Sequence, residues 1–114
     1  MRRILAAFAL LLVLCVPSYS LTANDVEGYY DNGEDVYLHI VRNGKLLEVS
    51  LSSYSENWRG TGRLRGDTLI AEYGGTRATL TFIDADTIDI ETNGAFRRAV
   101  GFDAEYIYER HYGK

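Results

Sequence analysis

The chain has 114 residues, a formal net charge of −4 and 46% hydrophobic residues. This length suits one domain with one modest core. The negative charge disfavours non-specific binding to nucleic acid or to anionic lipid. Only one cysteine is present, so the sequence excludes a disulfide framework within the chain and a site built from several thiolates.

The first twenty residues, MRRILAAFALLLVLCVPSYS, are typical of a secretory signal. Two arginines precede an apolar run, and small and polar residues that suit cleavage after Ser20 follow it. The run of about 13 residues is short for a membrane span, and an uncleaved anchor is the alternative interpretation. Lipidation of Cys15 is disfavoured because Leu14, which is not a small residue, precedes it. We therefore expect residues 1–20 to be a signal peptide and the protein to be exported, either periplasmic or secreted.

Cleavage after Ser20 leaves a single domain, residues 21–114, with 10 basic and 16 acidic side chains. Turn signals recur along it about every eight to twelve residues, with short runs rich in β-branched and aromatic residues between them. This pattern predicts strands near 26–31, 35–42, 45–52, 57–64, 68–73, 76–83, 87–92, 96–101 and 104–110. An all-β antiparallel meander of eight to nine strands tends to close, because closure removes the exposed edges. We expect a small up-and-down β-barrel, with a two-layer β-sandwich as the alternative.

The hairpin at residues 36–51 predicts which side chains point inward. A two-residue turn at Asn43-Gly44 pairs Leu38 with Val49 and gathers the apolar side chains of both strands on one face. The same alternation along the other strands extends this face into a core. The predicted core is Val36, Leu38, Ile40, Leu47, Val49, Leu51, Leu69, Leu80, Phe82, Ile88, Ile90 and Val100.

Two later turns make further pairings testable. A two-residue turn at Gly74-Gly75 places Glu72 opposite Arg77, which is a favourable pair on a solvent-facing side of a hairpin. A three-residue loop at 93–95, with its glycine in a left-handed conformation, pairs the preceding strand with the strand predicted at 96–101.

The two ends of the domain carry a further pattern. Gly28-Tyr29-Tyr30 stands in the first predicted strand, and Arg110 stands late in the last one. The arrangement resembles the calycin superfamily of lipocalin-like and avidin-like barrels, in which a Gly-x-Trp of the first strand packs near an arginine of the last strand. The resemblance implies that Gly28, Tyr30 and Arg110 are structural closure residues, with Tyr30 where the family usually has tryptophan. A guanidinium can stack on an aromatic ring in this way.

Catalytic and metal-binding patterns are weak. His39 is expected to face Glu48 across the first hairpin, but catalysis by such a pair needs a third positioned group, and none is visible. The acidic segment at 84–89 lacks the spacing of an EF-hand and suits a tight turn. The serines at 50–55 lack a nucleophile-elbow motif. We therefore expect no enzymatic activity, no cofactor and no bound metal.

Tyrosine, tryptophan and arginine give the strongest signal for binding. Tyrosine combines an apolar body with a polar tip, which suits ligand pockets and protein interfaces. The candidate ligand- or partner-binding residues are Tyr37, Trp58, Arg59, Tyr73, Tyr106 and Tyr108. Arg59 also belongs with Arg63 and Arg65 to a local basic patch, which suits a phosphate or an acidic partner, or serves solubility.

We expect an exported, non-enzymatic β-barrel that binds a small apolar or aromatic molecule at its mouth. This is also what most members of the calycin superfamily do, as the resemblance implies. The alternative is a barrel that binds a protein, as an inhibitor or as an envelope or extracellular partner subunit. A connected apolar cavity would favour the first function, and an exposed patch of aromatic residues and arginine would favour the second. We expect no nucleic-acid partner and no stable membrane insertion after cleavage, and the sequence leaves the oligomeric state open.

Overall fold

The structure, a computed structural model, describes residues 21–111 and shows eight antiparallel strands in one closed barrel. Its elements are α1 (Ala23–Val26), β1 (Gly28–Asp31), β2 (Val36–Asn43), β3 (Leu46–Ser53), β4 (Glu56–Arg65), β5 (Thr68–Tyr73), β6 (Thr76–Asp84), β7 (Thr87–Thr92), α2 (Gly94–Ala99) and β8 (Ile107–Arg110). Each strand pairs with its neighbours along the chain, and β1 pairs with β8. The predicted up-and-down barrel is therefore confirmed over the sandwich alternative.

The signal peptide and the question of Cys15 lie outside the described residues. In the part of the chain from 21 to 111, no helix has both the length and the apolar character needed to cross a membrane.

Side chains fill the inside of the barrel. Buried and exposed positions alternate along β2 and β3, as expected when successive side chains of a strand point to opposite faces. Every predicted core residue is at most 3% exposed, except Val100, which is only half-buried. The two largest fully buried side chains are Tyr30 and Tyr108. Full burial of one large apolar side chain contributes about 1.5–3 kcal/mol relative to exposure, so this interior is the main source of stability.

The β2–β3 hairpin turns one residue later than predicted. Gly44 and Lys45 form the turn, and Leu38 pairs with Leu51 rather than with Val49. Gly44 has a φ of 68°. A positive φ at the first central position is what a type II′ turn requires, and glycine adopts it without strain. The register is displaced by two residues, so the inward face of the hairpin is unchanged.

The β5–β6 hairpin has the predicted register. Tyr73 pairs with Thr76 across the Gly74-Gly75 turn, and Glu72 lies opposite Arg77. The Nε of Arg77 lies 2.8 Å from a carboxylate oxygen of Glu72. Both side chains are about half exposed, and solvent weakens the attraction between their charges. The ion pair therefore adds little to the free energy of unfolding, although it agrees with this register of the hairpin.

The strand predicted at 96–101 is wrong, because residues 94–99 form α2. The side chain of Asn93 caps this helix by accepting a hydrogen bond from the backbone N–H of Phe96, at 2.9 Å. Phe96 is fully buried, with its ring centroid 5.0 Å from that of Trp58. A capped helix that buries an aromatic side chain replaces the hairpin, and β7 pairs with β8 instead.

A short helix lies at each end of the barrel. Turns of a meander alternate between its two ends, so α1 lies at the end where β1 begins, and α2 lies at the end where β7 finishes. Because α1 occupies the start of the predicted first strand, β1 begins at Gly28. The last strand is also shorter than predicted and begins at Ile107. Val26 of α1 and Phe96 of α2 are both fully buried.

Candidate functional site

One candidate site arises because β4 extends beyond β5 at the α2 end of the barrel. The pairing of these strands begins at Thr61 opposite Glu72, whereas β4 starts at Glu56. The first part of β4 therefore has β3 on one side and no described strand on the other. A depression of about 370 Å³ lies there, lined by Asn57, Trp58, Arg59, Gly60, Thr61, Glu72 and Tyr73. We call this depression the rim groove.

Trp58 forms the floor of the rim groove and is held in place on several sides. It is 6% exposed, and its indole N–H donates a 2.7 Å hydrogen bond to the hydroxyl of Thr76. That hydroxyl in turn donates to the backbone carbonyl of Tyr73. A Cβ atom built on Gly60 would lie 2.5 Å from the indole ring. Only glycine therefore leaves room for the indole ring at this point.

A second surface lies on the outer side of β1–β4. By register Tyr29 faces His39, and His39 faces Ser50. The rings of Tyr29 and His39 are stacked, with centroids 3.9 Å apart and planes at 6°. A depression of about 340 Å³ lies here, lined by Tyr29, Tyr37, Leu38, His39, Ser50, Ser52, Asn57, Trp58 and Arg59. We call this surface the aromatic face.

The aromatic face presents exposed aromatic and cationic groups to solvent. Tyr29 is 61% exposed and Tyr37 is 54% exposed. The side chain of Arg59 is exposed and makes no hydrogen bond or ion pair with any residue from 21 to 111. Such groups can stack on a partner, donate hydrogen bonds from their tips and neutralise an anion. These exposed groups make the aromatic face a candidate binding surface.

Four of the six candidate binding residues come together around the first half of β4. Trp58 and Arg59 line both surfaces, Tyr37 lies on the aromatic face, and Tyr73 borders the rim groove. Tyr73 is 70% exposed, whereas Trp58 is buried beneath the rim groove and contributes to its shape.

The other two candidates lie elsewhere. Tyr108 is fully buried inside the barrel, and its hydroxyl donates a 2.9 Å hydrogen bond to the carbonyl of Ala104. Burial, and to a lesser extent the nearby carboxylate of Asp103, raises the pKa of Tyr108 far above its ordinary value. Tyr106 is 41% exposed and lies just before β8, on the opposite side of the barrel from β4.

The three residues assigned to closure meet at the α1 end of the barrel. Tyr30 and Arg110 are paired across β1 and β8, and the guanidinium carbon lies 4.8 Å from the centre of the Tyr30 ring. The guanidinium is within 2.6–2.9 Å of five acceptors: the carbonyls of Asp25, Glu27 and Ala85, the carboxylate of Asp86 and the hydroxyl of Tyr30. Gly28 has a φ of 146°, and a Cβ there would lie 2.5 Å from the arginine.

The pairing of His39 with Glu48 is wrong, because the displaced register places His39 opposite Ser50. Asp84 accepts a 2.8 Å hydrogen bond from the backbone N–H of Asp86, as a tight turn predicts. No group of three or more His, Cys, Asp or Glu side chains within residues 21–111 is placed to hold a metal ion.

Tyr29 and His39 are the two aromatic side chains of the aromatic face that sequence reasoning did not assign to binding. Strand alternation could have identified Tyr29, because Tyr30 beside it points inward. The stacking of Tyr29 on His39 depends on the pairing of β1 with β2, which the sequence pattern did not resolve.

No protein-family model, no curated protein and no solved structure matches this chain.

Proposed function

We propose that this protein is an exported, non-enzymatic, calycin-like β-barrel that binds a protein partner through its aromatic face. One observation carries the proposal. Exposed tyrosines, a stacked histidine and an arginine without an ion pair lie together on adjacent strands, outside an interior that is filled by side chains.

The packed interior supports a surface function over an internal ligand. The inside of an eight-stranded barrel is just wide enough for side chains to fill it. Tyr30 and Tyr108 are the largest of the fully buried side chains that fill it, and both are at most 1% exposed. A ligand held among them would have to displace side chains whose burial stabilises the fold.

The composition of the aromatic face suits a protein interface. Tyrosine and arginine are enriched among the residues that dominate the energy of such interfaces. Tyr37 and Arg59 lie within regular strands, so the backbone beneath them needs no ordering when a partner docks. A carboxylate of the partner would pair with Arg59, and an apolar or aromatic group would stack on Tyr29 or Tyr37.

The calycin-like assignment rests on the closure residues. Gly28 gives space to the guanidinium of Arg110, and Tyr30 both stacks on it and accepts a hydrogen bond from it. These contacts support the resemblance of Gly28-x-Tyr30 and Arg110 to the barrel closure of that superfamily. The same superfamily includes members that bind proteins, which agrees with the proposed role.

A photo-crosslinking amino acid at Tyr37 tests this function in the native host. We expect one discrete crosslinked product that contains a second protein, and we expect Arg59→Ala to reduce its yield about tenfold. The same amino acid at Tyr106, which is also exposed but lies across the barrel, is the matched control. Absence of a product at Tyr37, or an equal product at Tyr106, would contradict a partner site on the aromatic face.

A small aromatic molecule in the rim groove is the second candidate function. The groove of about 370 Å³ falls within the usual size of ligand sites, and the indole of Trp58 and the ring of Tyr73 border it. Native mass spectrometry of the protein from its own host should then show a bound molecule that is lost in Tyr73→Ala. Tyr54→Ala, at an 88% exposed turn residue, should retain it. A bare protein in every case would exclude this second function.

A further inference from the structure

The outer face of β4–β7 carries a charge pattern that is independent of the proposed binding site. The registers align two rows of side chains across the four strands. The first row reads Arg63, Ile70, Thr79 and Glu91, and the second reads Arg65, Thr68, Thr81 and Asp89. Each row therefore begins with a cation, continues through small or apolar groups and ends with an anion. We call this surface the β4–β7 face.

The charged ends of these rows have no partner among the described residues. Arg63, Arg65, Asp89 and Glu91 make no hydrogen bond or ion pair through their side chains within residues 21–111. Arg77 and Arg97, by contrast, each form an ion pair with a nearby glutamate. The β4–β7 face thus keeps two cations on one flank and two anions on the other, all available to an external partner.

We propose that the β4–β7 face is the interface of a two-fold symmetric homodimer. A two-fold axis that runs parallel to the strands between β5 and β6 would reverse the order of each row. Arg63 would then face Glu91 of the partner subunit, and Arg65 would face Asp89 of the partner subunit. Because such an interface is isologous, each of these ion pairs forms twice.

The shape of the face agrees with this arrangement. Its centre consists of small threonines and Ile70, which is 43% exposed and borders a depression of about 390 Å³. Small groups allow two convex surfaces to approach closely at β5 and β6. The barrel curves away toward its flanks, where only long side chains can bridge the gap, and Arg63, Arg65 and Glu91 are long. Ile70 would lie against Thr79 of the partner subunit and contribute apolar contact.

A second copy explains more of this surface than another occupant does. An acidic polypeptide or an anionic membrane would pair with Arg63 and Arg65, but it would be repelled by Asp89 and Glu91 on the same face. A second copy satisfies all four charges at once. The chain has a net charge of −4, so self-association needs such local complementarity to overcome general repulsion.

Sedimentation equilibrium of the exported protein tests the proposal. We expect a monomer–dimer equilibrium that weakens when salt is raised from about 10 mM to about 1 M, because the Debye length falls from about 30 Å to about 3 Å. Arg63→Glu should raise the dimer dissociation constant about tenfold, since it places like charges opposite each other twice. Glu91→Arg should do the same.

The combined variant Arg63→Glu with Glu91→Arg discriminates between occupants. It should restore the dimer, because the exchanged charges again face each other across the two-fold axis. Arg98→Glu is the matched control, since it makes the same change of charge on α2, away from this face, and it should leave the dimer unchanged. A monomer under all conditions overturns the proposal. So does a combined variant that stays monomeric, or a protein that binds vesicles of phosphatidylglycerol through Arg63 and shows no dimer.

Discussion

Replacing Arg110 with methionine is expected to lower the free energy of unfolding by about 3 kcal/mol. The side chain of Arg110 is 13% exposed and joins α1, the β6–β7 turn and the pair of strands that closes the barrel. Methionine keeps most of the volume but donates no hydrogen bond. The carbonyls of Asp25, Glu27 and Ala85 would lose a charged donor, and those of Glu27 and Ala85 lie at partly buried positions.

Equilibrium unfolding in urea, followed by far-UV circular dichroism, measures this loss. Arg98→Met is the matched control, because the side chain of Arg98 is exposed and makes no hydrogen bond or ion pair with any residue from 21 to 111. It should change the free energy of unfolding by less than about 0.5 kcal/mol. Equal effects of the two variants would show that Arg110 does not hold the barrel closed.

Gly28→Ala tests the same closure from the other strand. Its Cβ would lie 2.5 Å from the guanidinium of Arg110, and its φ of 146° is one that alanine rarely adopts. The methyl group should therefore displace the arginine, and Gly28→Ala combined with Arg110→Met should cost less than the sum of the two single changes. Additive effects would mean that Gly28 serves only the conformation of the backbone.

The barrel could be predicted from the sequence because its signals are local and repeated. Alternation of apolar residues fixes which face of a strand points inward, and this survives an error of two residues in register, as the β2–β3 hairpin shows. The Gly74-Gly75 turn admits one good pairing, and that register was predicted correctly. The Asn43-Gly44-Lys45 segment admits two turns with equivalent inward faces, so the pattern alone does not choose between them.

α2 could not be predicted because its decisive contact is distant in sequence. Asn93-Gly94 is both a good hairpin turn and a good start for a helix, since asparagine favours each of them. The choice depends on Phe96, which packs against Trp58 across the end of the barrel. Short-range propensity carries no information about that contact.

The sequence identified four residues of the candidate site, but it did not predict that they lie close together. Tyr37, Trp58, Arg59 and Tyr73 lie close together because β4 extends beyond β5, which is a property of strand lengths and register. The same aromatic chemistry gave no means of separating these residues from Tyr108, whose side chain belongs to the core. Burial, which the sequence alone does not give, separates the exposed tyrosines of the candidate site from a tyrosine that fills the barrel.

Phe96→Ala is expected to lower the free energy of unfolding by about 3–5 kcal/mol, the usual cost of removing a fully buried phenylalanine. The cavity would open directly beside Trp58, which is the only tryptophan of the chain. Water that enters this cavity should shift the fluorescence emission of Trp58 in the folded protein to longer wavelength. Ile83→Ala, at a side chain that is 62% exposed, is the control and should change neither quantity.

The two readouts of Phe96→Ala together decide what holds the rim groove in shape. A large loss of stability with a shifted emission would mean that α2 covers the barrel and fixes Trp58, so that the floor of the groove is preformed for a ligand. A shifted emission with little loss of stability would mean that α2 orders the groove without supporting the rest of the barrel. If neither quantity changes, the hydrogen bond from Trp58 to Thr76 is enough to fix the indole, and α2 is not part of the site.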